Sequence, residues 1–148
     1  GIRIARSSTG GRPVSTTPAW NEHFWVASPP GGGDLFMPSL AVDALGGLHV
    51  TYLYTVSGEF KWYHTMIQWP EGGAAVATPP VEISTNPTFV TDLTPGTVNT
   101  PHFAEYHLSW ARGQSVFVTW CEVVPSATGP NKMRAFFRKI DVFAAGPD

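Results

Sequence analysis

Apolar residues are spread along this chain in short runs, each closed off by glycine, proline or a small polar residue. In LHVTYLY (residues 48–54), strand alternation puts Leu48, Val50 and Tyr52 on one face and His49, Thr51 and Leu53 on the other. VFVTWCE (116–122) likewise opposes Val116, Val118 and Trp120 to Phe117, Thr119 and Cys121. A sheet with one solvated face keeps its apolar residues on alternate positions, so two apolar faces predict strands covered above and below. No stretch long enough for a helix holds a 3.6-residue period, and fourteen prolines interrupt nearly every candidate. The prediction is an all-β chain with essentially no helix.

The runs repeat. Laying Leu48 on Val116, an offset of 68 residues, brings LHVTYLY onto VFVTWCE and Leu40 onto Leu108. With five extra residues in the next hairpin loop, FKWYHTMI (60–67) falls on MRAFFRKI (133–140), matching Tyr63 with Phe136 and Ile67 with Ile140. A further copy enters in mid-unit: IRIARS (2–7) fits the same third strand, and TPAWNEHFWVAS (17–28) parallels TPPVEIS (78–84). Each full unit then reads as four strands: FMPSLAVD, LHVTYLY, FKWYHTMIQ and PPVEIS, followed by AEYHLSWA, VFVTWCE, MRAFFRKI and a short DVF (141–143). Repeated antiparallel four-stranded meanders are the blades of a β-propeller.

The expected organisation is one unit over residues 1–148, an incomplete propeller segment: the end of a preceding blade at 1–28, a full blade at 35–84 and a final blade at 103–143. A propeller takes about four to eight blades. Other polypeptide, from the same or a different chain, is therefore the expected partner, and the mid-blade start predicts that Gly1 is not the start of the gene product.

At 43% hydrophobic, 13% aromatic and 14% charged, the composition excludes a disordered chain. The nine lysines and arginines form no stripe and the formal charge is −2, which argues against nucleic acid and anionic membrane as partners. No run of about 18 apolar residues exists to predict a membrane span. Cys121 is the one cysteine, so no internal disulfide forms, and its apolar run predicts a buried, inert thiol.

RIARSSTGGRP (3–13) resembles the Asp-box of sialidase-type propellers, Ser-x-Asp-x-Gly-x-x-Trp, a turn between the third and fourth strands of a blade. Its glycines fit, while the aspartate and closing tryptophan are missing or displaced. FMPSLAVDALGGLHVTYLY (36–54) looks like the first two strands of sialidase-like BNR-repeat proteins, with Asp43, Gly46 and Gly47 forming the hairpin; FAEYHLSWARGQSVFVTW (103–120) is similar to a late blade of the same family. The resemblance implies a non-catalytic carbohydrate-binding or interaction module, extracellular or at the cell surface, with no cofactor. Two alternatives stand beside it: a fragment of a sialidase-type glycoside hydrolase, an exo-glycosidase whose arginine clamp and acid lie elsewhere, and a structural subunit of a larger surface or particle assembly.

In sialidases a tyrosine with a glutamate partner attacks the anomeric carbon. Tyr106, in EYHLSW, resembles that tyrosine's context, with His107 in place of the usual serine and Glu105 beside it. The plainer reading of Tyr106 is a blade anchor with its hydroxyl bonded to backbone. Ligand recognition is expected at the channel mouth, near Asp34, Met37 and Glu105 to His107. Glu105 and His107 share a strand face and lie near His102, but zinc takes three or four ligands and neither His49 nor His64 is compellingly spaced to join them, so no metal is assigned. Arg6, Arg134 and Arg138 lie in third strands, where surface or inter-blade pairing is expected. Trp20 and Trp25 flank Asn21, Glu22 and His23 and are expected to be exposed enough to stack on sugar rings; the other tryptophans are expected mostly in the core.

Overall fold

The computed structural model describes residues 1–7, 9–12, 19–20, 22–86, 88–89, 107–124, 126–128 and 131–142. They are all-β: β1 (Arg3–Arg6), β2 (Glu22–Trp25), β3 (Asp34–Val42), β4 (Leu48–Val56), β5 (Glu59–Gln68), β6 (Val76–Ala77), β7 (Val81–Glu82), β8 (Thr88–Phe89), β9 (Leu108–Arg112), β10 (Ser115–Val124) and β11 (Lys132–Asp141). Every pairing is antiparallel. Among these residues no helix is long and apolar enough to cross a membrane.

Three sheets result. β1 and β2 form an N-terminal hairpin, β3-β4-β5 form the body of a central sheet, and β9-β10-β11 form a C-terminal sheet. The outer edge of β5 is lined by three short pieces in turn, β6 against Ile67 and Gln68, β7 against Tyr63 and His64, and β8 against Glu59 and Phe60. The single fourth strand expected at 79–84 is thus a longer, broken one spanning residues 76–89. Pro79 and Pro80 lie between its first two pieces, where each removes a ladder donor.

The internal repeat is written into the hydrogen-bond registers. Val116 pairs with Ile140 as Leu48 pairs with Ile67, and Trp120 pairs with Phe136 as Tyr52 pairs with Tyr63. The first strands depart from the repeat by one residue: Leu40 opposes Val50, while Leu108 opposes Thr119 rather than Val118. The turns account for this, because β9 enters β10 through Gly113 and Gln114, with Gly113 at φ +60°, whereas β3 reaches β4 through a longer loop at 43–47. Turn length sets register in a hairpin. Asp141 belongs to β11, and Phe143, which would complete a fourth strand there, lies outside the described residues.

The two apolar faces of β4 are both used. Val50, Tyr52 and Tyr54 join Leu35 and Ile67 in a cluster with Ile2 and Val26 of the N-terminal hairpin. Leu53 joins Ala41, Trp62 and Ile83 in a second cluster with Val116, Val118 and Trp120 of the C-terminal sheet. The central sheet is therefore sandwiched, and β4 is buried from His49 to Tyr54. At about 25 cal/mol per Å² of apolar surface removed from water, burial on this scale dominates the favourable side of folding. The three sheets form an open stack; among the described residues they do not close into a ring.

Candidate functional site

Polar chemistry concentrates at the seam between the central and C-terminal sheets. Strand register places His49, Thr51 and Leu53 of β4 on the side facing β10, with His64 directly opposite Thr51. Asp43, at the end of β3, bends its carboxylate back over the turn: Oδ1 accepts the amide protons of Leu45 at 2.7 Å and Gly47 at 3.0 Å, and Oδ2 meets His49 Nε2 at 2.9 Å. His49 Nδ1 in turn meets His64 Nε2 at 2.9 Å, the two rings stacked 15° from parallel. Burial opposes ionisation of Asp43, but the bonds from His49, Gly47 and Leu45 outweigh it and hold its carboxyl below the usual range. His64 is pushed down to about 4, first by burial, then by the charges of His49 and Arg138.

Nearer the start of β9, His107 is also pushed down to about 4 by burial, against which a bond to the Met37 backbone works. A proton donated to that carbonyl leaves His107 Nε2 as an acceptor for the Thr51 hydroxyl at 2.6 Å, and Thr51 is met by the Ser109 hydroxyl at 2.5 Å. The Ser109 amide donates to Ser39 Oγ at 2.8 Å, and the His107 ring lies 4.4 Å from the Trp62 ring. At the far end of the seam Glu122, buried in β10, accepts from Trp120 Nε1 at 2.6 Å, from the Thr85 amide and hydroxyl at 2.8 and 2.9 Å, and from the Asn86 amide and Nδ2 at 2.9 and 3.2 Å. Among the described residues no buried side-chain nitrogen or oxygen lacks a partner, and no cluster of histidine, cysteine and acidic groups is arranged to hold a metal. Most of this polar set therefore stitches sheets together.

The outer face of the C-terminal sheet differs in kind. Trp110, Phe117 and Phe137, one from each strand, lie side by side: Trp110 and Phe117 have centroids 5.2 Å apart and planes 16° from parallel, and Phe117 and Phe137 have centroids 6.0 Å apart and planes 27° from parallel. Trp110 is 40% exposed and Phe137 59%, with Leu108 exposed beside them. Cys121 shares this face and is half-buried rather than fully enclosed, with its thiol raised by what burial it has.

The residues singled out from the sequence are not gathered in one place. Tyr106 and Glu105 lie outside the described residues, as do His102 and Asn21. Met37, at φ +51°, sits on the β3 bulge between Phe36 and Ser39 and touches His107, which is committed to the seam. Asp34 is exposed at the opposite end of β3 from Asp43 and pairs with Thr55. Trp25 is 64% exposed beneath the Arg3 guanidinium, and the ring of Trp20, also exposed, lies against Gly11. In the turn that follows β1, Ser7 Oγ accepts from the Gly11 amide at 2.8 Å. Arg6 pairs with Glu22 and donates to the Trp69 and Pro70 carbonyls, joining the hairpin to the central sheet. Trp62 and Trp120 are core residues, as expected, but Trp110 is not.

The Asp43–His49–His64 line and the Glu122 cradle carried no sequence signal, since strand pairing and sheet stacking alone bring their members together. The aromatic platform could have been found by applying the 68-residue offset to faces as well as strands. Comparisons with protein-family models, curated proteins and solved structures yield no match for this chain.

Proposed function

We propose that this chain is a non-catalytic interaction module, a segment of a sialidase-like β-propeller whose exposed sheet faces receive further polypeptide. One observation carries the reading. Under the 68-residue repeat, Phe117, Thr119 and Cys121 of β10 correspond to His49, Thr51 and Leu53 of β4, the face that β4 buries against the next sheet. The corresponding face of β10 instead presents Trp110, Phe117, Phe137 and Leu108 outward. An apolar face of this kind on an edge layer calls for cover by another layer. Engagement of the buried histidines and carboxylates in seam bonds supports the non-catalytic part of the reading.

Native mass spectrometry of the purified protein, paired with the denaturing mass of every chain present, tests it. The expected result is an assembly of several chains, identical or different, that Phe137→Lys weakens. A well-folded lone monomer, unaltered by Phe137→Lys, overturns the proposal. A carbohydrate-binding reading is favoured by the near-parallel rings of Trp110 and Phe117, which match the flat apolar face of a sugar. Glycan-array binding by the monomer, lost in Trp110→Ala, would decide for it.

A further inference from the structure

His64 is 8% exposed, and its Nε2 is taken by His49. Its other ring nitrogen, Nδ1, has no hydrogen bond within the protein among the described residues, yet no buried polar atom is left unpartnered. The unbonded nitrogen therefore belongs to the wall of the cavities that His64 lines. One, of about 220 Å³, is bounded by His64, Val81, Ile83, Arg138, Lys139 and Ile140; the next, of about 290 Å³, shares His64, Val81 and Ile140 with it and continues past Met66 to Asp141 and Val142. Together they make a groove between the edge of the central sheet and β11.

The groove has one charged feature to spare. Arg138 stands near enough for its charge to act on His64 and has no ion pair or hydrogen bond among the described residues. Lys139 and Asp141, by contrast, are joined to each other at 2.7 Å, and Asp141 also accepts from Ser115. The Arg138 guanidinium and the unbonded His64 Nδ1 share this wall with Val81, Ile83 and Ile140.

We propose that this groove binds a short-chain aliphatic carboxylate, the carboxylate held by Arg138 beside the His64 ring and the alkyl chain lying on Val81, Ile83 and Ile140. A guanidinium suits a planar carboxylate because the two can bond in parallel. The apolar lining favours a ligand with several methylene groups over a bare anion. This site is separate from the aromatic platform and stands or falls independently of the interaction-module reading.

The experiment uses butyrate as the probe, with butyramide and acetate as controls, followed by calorimetry and by the ¹⁵N resonance of His64 Nδ1 in labelled protein. Butyrate should bind and move that resonance. Butyramide, which lacks the charge, should bind roughly 10- to 100-fold more weakly, and acetate, two methylenes shorter, roughly 10-fold more weakly. Arg138→Gln, at an exposed position, should remove the preference for butyrate over butyramide while leaving the circular dichroism spectrum unchanged. No butyrate binding, equal binding of all three probes, an unmoved His64 resonance, or undiminished preference in Arg138→Gln would each overturn the proposal.

Discussion

Acid should unfold this chain through two histidines at one seam. His64 and His107 are each held at about 4 by burial, against about 6.5 in an unfolded chain. Between those values the unfolded chain takes up a proton that the folded chain refuses, so the stability that each neutral histidine allows is complete above pH 6.5 and is lost as the pH falls toward 4. Each contributes a slope of about 1.4 kcal/mol per pH unit and about 3.4 kcal/mol over the window. Both together amount to about 7 kcal/mol, comparable with the whole stability of a small domain, about 5–15 kcal/mol. Asp43 acts elsewhere: its pKa is depressed below 3.8, so its contribution is present above that value and lost only at lower pH. Urea denaturation at half-unit steps from pH 7 to 4.5 is the assay, and the unfolding free energy should fall by about 2.7 kcal/mol per pH unit in the middle of the range. His64→Gln and His107→Gln should each halve that slope. A flat profile, or a slope that both variants leave unchanged, would refute the reasoning.

Two further perturbations separate kinds of contact. Glu122→Gln turns one acceptor of the five-bond cradle into a donor, leaving buried N–H groups facing N–H groups; a loss of about 2–4 kcal/mol is expected, seen by calorimetry as a fall in Tm of roughly 6–12 °C, and a loss under about 0.5 kcal/mol would show that the cradle is not formed. Gly33→Ala places a Cβ 1.9 Å from the Thr55 carbonyl oxygen, so the β3–β4 ladder has to open, whereas at Gly46, φ +83°, an added Cβ meets nothing within 4 Å. The first should cost more than about 2 kcal/mol and the second only about 1 kcal/mol in urea titrations; equal costs would contradict the close approach at Gly33.

Several features of the fold were legible because strand alternation is a local rule. LHVTYLY carries two apolar faces, and both are buried, one on each neighbouring sheet. The match of Ile67 with Ile140 reappears as a shared pairing register. The one-residue slip of β9 was not legible, because it depends on a two-residue turn ending a strand whose apolar pattern looks the same in either register. The seam was hidden for a related reason. His49 and His64 are fifteen residues apart and meet only through the β4–β5 register, and Glu122 finds Thr85 and Asn86 only once two sheets have stacked. Trp110 looked like a core residue because an indole in a strand is read as buried, and nothing local to the strand tells which face of an outer sheet stays open.

The broken rim of the central sheet bears on how such a molecule can grow. Pairing partners along β5 slip by one residue between β6 and β7 and by three more before β8, so the outermost backbone presents no continuous row of amides and carbonyls. A foreign strand arriving sideways would find no more than two consecutive residues in step at any point, too few to nucleate a ribbon. Lateral, amyloid-like extension is blocked at that edge by geometry rather than by charge. Layers can still be added through their flat surfaces, and an assembly built only in that way advances along one axis.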